Sequence, residues 1–309
     1  MAQPAAPGFP RRFIMAGHAQ PDTSFSRGLE VIGSRLTERF SDQLDVRYVF
    51  NSVAIGYAAQ DLHWLVDADI LTLAYSTPMS FGVPALDIAA LPFVFSGNDQ
   101  ARAAMDGPLG AAAIAHIEAN SDFRVLGFFE NGFRHISNNI RPVASPADVR
   151  GLKLRVLSVQ QPGFAALGAA TGFMPITETI PKLADGTFDG QENPYENIVA
   201  YGAHPHQRYY TSTFHSYMSR PIFVHRPAFE SWDISLQQEL RTAVRTAVVA
   251  QRAQHDLAEV EALALIRAEG GEIIELTPAQ RAAFVAAVEP VYANARINYD
   301  RQLLRHVGL

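Results

Sequence analysis

An open α/β fold built as two lobes is what this sequence predicts, and three observations predict it. Strand-like and helix-like segments alternate from residue 12 to about residue 130. The same alternation begins anew at "LKLRV", residues 152–156. With 309 residues, 48% of them apolar, the chain is also long enough to bury more than one core.

Taken in order, Arg12 to Ala16 is a short apolar run suited to a first strand. The loop "HAQPDTS" follows, where Asp22 or Thr23 is placed to cap a helix from about Phe25 to Phe40. "LDVRYVF" alternates as a strand should, a helix is expected around Ala58 to Val66, and "ADILTLAY" is a strand leading into the loop "STPMSFGVPALD". After "LPFVFSGND", a single helix is expected through "QARAAMDGPLGAAAIAHIEAN", then a strand, "FRVLGFFE", ending at "NGFRH". This β-α-β-α-β order places ligands at the carboxyl ends of the strands.

"ASPADVRG" reads as a brief turn or helix, and "LKLRV" opens the second lobe. "GFAALGAATG" and "ETIPKLADG" read as helical, the latter interrupted by Pro181, before the polar turn "TFDGQENP". "RPIFVHR" is an apolar strand expected to cross back to the first lobe. From Ser235 to Glu269 the pattern is helical without a break, with Ser235-x-x-Gln238 as a capping box and Gly270-Gly271 as the stop. At 1.5 Å per residue such a helix is roughly 50 Å long, more than one lobe, so it is expected to lie across both. Thr277-Pro278 starts a final helical region.

Composition narrows the function. A formal net charge of -6 with no run of like charge gives no footprint for nucleic acid or an acidic membrane surface. There are no cysteines, which excludes thiolate catalysis, zinc-cysteine sites and disulfides. The most apolar stretch, Leu86 to Phe95, contains Asp87 and Pro92 and falls short of the ~20 apolar residues a membrane span needs. The opening "MAQPAAPGFP" reads as the stub of a mature exported protein carrying an added Met.

Arg155 stands out within "LKLRV". Leu154 and Val156 share one strand face, so Arg155 points to the other, where a guanidinium needs an anionic partner if buried. That partner is an internal Asp or Glu, or a ligand carboxylate gripped by two parallel hydrogen bonds; a wet second strand face would need none. Arg134 in "FENGFRHISN" stands at a second strand-to-loop transition, with Asn131 and Gly132 allowing tight backbone geometry. "FDGQENP" adds a turn at Asp189-Gly190, the amides of Gln191 and Asn193, and Pro194. A hydrolase would need Asp189 and Glu192, or Glu192 and Glu196, as an acid pair, and the chain has no G-x-S-x-G elbow. His204, His206 and His215 are a thin metal signal, and no G-x-G-x-x-G follows a strand.

In order and spacing, "NGFRH", "GLKLRV", "DGQENP" and the His of "STFHSY", with "LPFVF" and "DGPLG" upstream, resemble the solute-binding proteins of tripartite ATP-independent periplasmic (TRAP) transporters, of the dicarboxylate-receptor type. The resemblance implies a two-lobed periplasmic-binding-protein fold with crossing hinge strands and one long helix spanning both lobes. Lobe I is then residues 1–131 plus about 222–252, and lobe II residues 132–221 plus about 253–309. It implies a receptor, not an enzyme, that closes on a small organic acid and delivers it to a TRAP membrane permease. The setting it implies is the periplasm; a monomer is the default expectation, with a dimer through the C-terminal helices as the alternative, and no cofactor or metal site is assigned, although some members of the family hold a cation with their substrate. A periplasmic enzyme or a metal-dependent carboxylate-binding protein is the alternative.

By position, Arg155 is similar to the arginine that grips the carboxylate, Arg134 to an auxiliary one, and Asn193 to the amide that bonds the ligand. Glu192 and His215 look like the pair that steadies Arg155 and gives it an internal partner. His18 and Tyr75 are similar in place to residues that read the rest of the ligand. Many relatives carry an aromatic residue before a Ser-Glu pair; this chain has "MPITET", so Ile176 and Thr177 are expected to shape the pocket differently. An aromatic or keto acid is the favoured substrate, from Tyr75, Phe81 and Tyr217.

Overall fold

The computed structural model describes residues 8–10, 12–41, 43–77 and 81–309. Residues 1–7 of "MAQPAAPGFP", and residues 78–80 of the loop "STPMSFGVPALD", lie outside the described residues. Two compact units divide the chain: Met1–Val83, Ala113–Glu130 and Ser219–Asp256 form the first, and Pro84–Ala112, Asn131–Met218 and Leu257–Leu309 the second.

The first unit opens with β1 (Phe13–Ala16), α1 (Ser24–Phe40), β2 (Val46–Val49), α2 (Asp61–Asp67) and β3 (Leu73–Tyr75). β1 pairs in parallel with β2 and β3, Phe13 opposite Val46 and Met15 opposite Leu73. Phe25, Leu29, Ile32, Leu36 and Phe40 recur at helical spacing along α1, and all five are buried in a core with Phe13, Met15, Leu73 and Phe129. Thr23 is the N-cap residue of α1, although its side chain makes no capping bond.

The chain then enters the second unit through α3 (Pro84–Ala89) and α4 (Asn98–Asp106). The resemblance places these residues in lobe I, whereas residues 84–112 cluster with the second unit. The reason is side-chain docking: Phe93 sits in a core with Val143, Phe284 and Val288, and Tyr292 Oη donates to the Pro92 carbonyl at 2.5 Å. The single helix expected over residues 100–120 is two, α4 and α5 (Pro108–Ala119). Pro108 lacks an N–H and disfavours helical backbone at Gly107, whose ψ is -144°.

β4 (Phe123–Asn138) is one long strand that runs on through "NGFRH" instead of stopping there. Gly132 absorbs the irregularity with a φ of 76°, a left-handed value that glycine adopts without a steric penalty. The second unit continues with α6 (Pro146–Val149), β5 (Lys153–Arg155), α7 (Gln161–Ala166), β6 (Ala170–Gly172), α8 (Ile176–Ala184), β7 (Gly190–Asn193) and α9 (Tyr195–Ala200). "GFAALGAATG" is therefore half helix and half strand, because Ala170–Gly172 pairs in parallel with β5. Pro181 does not interrupt α8. The N–H it lacks would have bonded the carbonyl of Thr177, which is exposed and can be hydrated.

β5 also pairs in parallel with β7, and β7 runs antiparallel to β4 with Glu192 opposite Ile136. Gly190 is not part of a turn but the first residue of β7. A Cβ there would fall 2.1 Å from the Ser137 carbonyl oxygen, so only glycine allows β7 to approach β4 this closely.

β8 (Tyr209–His225) begins in the second unit and ends in the first, where it pairs antiparallel with β3. After α10 (Arg226–Ser231), α11 (Ile234–Ala268) starts in the first unit and finishes in the second, as its length requires. Its start is capped by Asp233, which accepts from Ser235 N at 2.8 Å and Ser235 Oγ at 2.5 Å; the expected Ser235 to Gln238 box does not form, because Ser235 donates to this acid. β9 (Glu272–Glu275) pairs in parallel with β8. α12 (Pro278–Ala287), with a capping box of Thr277 and Gln280, α13 (Glu289–Asn298) and α14 (Arg301–Arg305) complete the second unit. Among the described residues no helix is long and apolar enough to cross a membrane.

Candidate functional site

Arg155 ends β5, between Gln191 of β7 and Gly172 of β6 in the pairing register. Leu154 and Val156 face a hydrophobic core, which turns Arg155 to the other side of the sheet. That side is also closed: Arg155 is 3% exposed. Its Nε donates to the Met174 carbonyl at 2.9 Å, and Nη1 and Nη2 make no hydrogen bond among the described residues. The guanidinium carbon stands 5.9 Å from the centre of the Phe173 ring. Burial pushes its pKa down to about 10, with the Glu192 charge opposing and the Arg134 charge adding to the shift. It is a cation at neutral pH with two terminal nitrogens still able to donate.

Arg134, from β4, is a different kind of arginine. Its Nε and Nη2 hold the Glu192 carboxylate, and Nη2 also donates to the Glu192 carbonyl at 2.7 Å and to Asn193 Oδ1 at 2.9 Å. Its Nη1 donates to Asn131 Oδ1 at 3.1 Å. At 1% exposure it is buried, with these donors engaged within the protein. Asn193 is likewise engaged, since Nδ2 donates to Gln191 Oε1 at 2.6 Å, and Gln191 Nε2 in turn reaches Ser137 Oγ at 2.9 Å.

Glu192 is fully buried and accepts from Arg134 and from Leu157 N at 2.9 Å. His215 Nε2 lies 3.5 Å from its carboxylate, and His215 Nδ1 is 2.7 Å from Thr213 Oγ1. Through hydrogen bonds Glu192 holds Arg134 and not Arg155, whose own hydrogen-bond partner is the Met174 carbonyl, while the Glu192 charge still favours the Arg155 cation. Burial works against the Glu192 charge, but Arg134 and then His215 outweigh it and hold its pKa at about 2. Burial keeps His215 below its ordinary value, against the pull of Glu192.

These shifts set a pH dependence. Glu192 has a folded pKa below its ordinary 4.5, so its contribution to stability is complete above that value and is lost as pH falls toward about 2. His215, also depressed, adds to the loss as it is forced to charge on acidification. The urea midpoint of the protein is expected to drop steeply between about pH 4.5 and about pH 2, and Glu192→Gln to flatten that limb. An unchanged acid limb in the variant would show that another group controls it.

Ile176 and Thr177 form the first turn of α8, two residues beyond Met174, with Ile176 half-buried and Thr177 exposed. In the first unit, His18 follows β1 and accepts from Arg220 Nη1 at 3.0 Å, its pKa held well below 6.5 by burial and by the Arg220 charge. Tyr75, expected to read the ligand, is fully buried in the first core, stacked on Phe25 at 5.2 Å. Tyr217 is 1% exposed and packs edge-on against Phe95 and Phe133, so it too is a core residue. Phe173, Met174 and Arg220 are absent from the residues that sequence reasoning selects. Arg220 carries a usable signal, an arginine at the head of the apolar run "RPIFVHR"; the Met174 carbonyl carries none. His204 pairs with Glu269 at 3.2 Å, and among the described residues no three His, Cys, Asp or Glu side chains come together as a metal site requires.

The model of the family described as bacterial extracellular solute-binding protein, family 7, matches residues 16–298. A solute-binding protein of Verminephrobacter eiseniae is 32% identical over 239 residues, 77% of this chain and 70% of that one. The 2,3-diketo-L-gulonate-binding periplasmic protein of Escherichia coli is 29% identical over 55% of this chain and 52% of its own length. Among solved structures, a TRAP periplasmic solute-binding protein from Bordetella bronchispeptica, with density assigned as pantoate, superposes with a TM-score of 0.87 at 28% identity, covering 96% of this chain and 98% of that one. One from Chromohalobacter salexigens with bound D-glucuronate gives 0.86 at 25% identity, covering 96% and 97%.

Proposed function

The chain belongs to the bacterial extracellular solute-binding protein family 7, and on that premise we propose that it is the receptor of a TRAP-type transporter, capturing one small organic acid by its carboxylate. The observation that carries this reading is Arg155, a buried cation oriented by a carbonyl at Nε with both terminal nitrogens left as donors. A carboxylate offers those nitrogens two parallel charge-assisted hydrogen bonds, and no side-chain acid of the protein competes for them within ion-pair distance among the described residues. The Arg134, Glu192, Asn193 and His215 network stands behind as a rigid frame.

In this proposal the receptor works as a monomer in the periplasm, hands its ligand to a membrane permease and performs no chemistry on it. The acids associated with its relatives, pantoate, D-glucuronate and 2,3-diketo-L-gulonate, all carry the group that Arg155 suits. A micromolar affinity requires about 8 kcal/mol, within reach of two charge-assisted hydrogen bonds plus burial. The test is a thermal-shift screen of organic acids, sugars and amino acids, with and without cations. A ligand at 100 times its dissociation constant is expected to stabilise the fold by about 2.7 kcal/mol, a shift of several degrees. Silence from every acid, with a shift from a metal or a neutral solute alone, would overturn the proposal.

A further inference from the structure

We infer that Phe173 is the apolar wall of the carboxylate site and selects acids with a flat apolar body, aryl monocarboxylates, over polyhydroxylated acids. The inference rests on the receptor reading above and narrows its substrate class. β5 and β6 are parallel neighbours with Arg155 opposite Gly172, so the chain leaving β6 carries Phe173 and Met174 directly past the end of β5. Met174 fixes the guanidinium by accepting from Nε. Phe173 stands beside it, its ring centre 5.9 Å from the guanidinium carbon, with 49% of its surface exposed while Arg155 is almost wholly covered.

A half-exposed phenyl ring next to a desolvated cation offers a ligand two things at once. The arginine takes the carboxylate, and the ring gains by covering apolar surface of the group attached to it. A sugar acid held the same way would bring hydroxyls against the ring. The polar side chains behind the arginine are engaged with one another: Glu192 with Arg134, and Asn193 with Arg134 and Gln191. Hydroxyls facing those buried side chains would find most of the donors and acceptors there already taken. Ile176, half-buried at the start of α8, extends the apolar character of the same segment.

The test is calorimetry of the full chain with benzoate, phenylacetate, glucuronate and propionate, on the wild type, Phe173→Ala and Arg155→Ala. The wild type is expected to prefer the aryl acids to glucuronate. Phe173→Ala should weaken aryl binding roughly fivefold or more, while propionate changes by less than about twofold. The exposed ring makes loss of fold a minor concern, and an unchanged melting temperature checks it. A wild type that prefers glucuronate, or a Phe173→Ala protein that keeps the wild-type ratio of aryl acid to propionate, overturns the inference and leaves the receptor reading standing. Binding that survives in Arg155→Ala, or no acid binding to the wild type, overturns the receptor reading itself, and this inference with it.

Discussion

Arg155→Ala is expected to lower affinity for the cognate acid by roughly 100-fold or more while leaving the folded protein intact. Two hydrogen bonds to a charged group, each worth about 1.5–3 kcal/mol, disappear together. The fold tolerates the change because two effects oppose each other. The Met174 carbonyl loses its donor, which costs about 1–3 kcal/mol, but a cation strained enough by burial to have its pKa drawn down to about 10 is also removed. Arg155→Lys is expected to be weakened too, by about tenfold, since an ammonium cannot present two parallel donors and also reach the Met174 carbonyl. Calorimetry on the three proteins checks the series, with circular dichroism as the control for folding. Wild-type affinity in the lysine variant would mean that charge alone, not the planar fork, grips the ligand.

The second large effect is on stability and lies behind the anchor. Glu192→Gln is expected to destabilise the protein by about 3–5 kcal/mol, the cost of leaving a buried arginine without its counter-charge. Arg134 is 1% exposed, so bulk water does little to replace that charge. The amide oxygen of the substituted glutamine can still accept from Leu157 N, so the loss isolates the charge from the backbone hydrogen bond. Replacing both partners with Arg134→Met and Glu192→Gln should cost less than the sum of the single changes, because the uncompensated charge goes with its partner. Urea unfolding of the four proteins measures this cycle. Simple additivity would show that the two residues stabilise the fold independently, contrary to their geometry.

The polar strand β7 shows why one part of this site is readable in advance and another is not. All four of its residues, Gly190 to Asn193, are buried. From sequence, "FDGQENP" is a polar turn, since a run of Gly, Gln, Glu and Asn has no strand signature. Its strand character comes from neighbours far along the chain: β4 and β5 flank it, and Arg134, Ser137 and Leu157 satisfy its side chains. Local propensity contains none of that information.

Other features are accessible because their physics is local. The alternation of Leu154, Arg155 and Val156 fixes which face each side chain takes, whatever lies opposite. The uninterrupted pattern from residue 235 to 269 and the Gly270-Gly271 stop define α11 almost to the residue, Ile234–Ala268. The Thr277 capping box sits within one turn of chain, where Thr277-Pro278 marks a helix start. Two breaks do not follow from the pattern of apolar residues alone. Pro108 divides a run that is otherwise helical throughout, and the three residues of β6 join a sheet only because a partner strand is present.

By itself, then, the sequence determined the α/β alternation, the long helix, the family and the arginine that must find an anion. These follow from periodicity and from the cost of burying charge, both properties of short stretches of chain, and for the family from the order of several such stretches. Only the tertiary structure decided which acid pairs with which arginine, that Tyr75 belongs to a core, that residues 84–112 dock on the second unit, and that Phe173 stands beside Arg155. Those outcomes depend on strand register and on side chains meeting across tens of residues. The Glu192 carboxylate goes to Arg134, and the terminal nitrogens of Arg155 are left without a protein acid among the described residues.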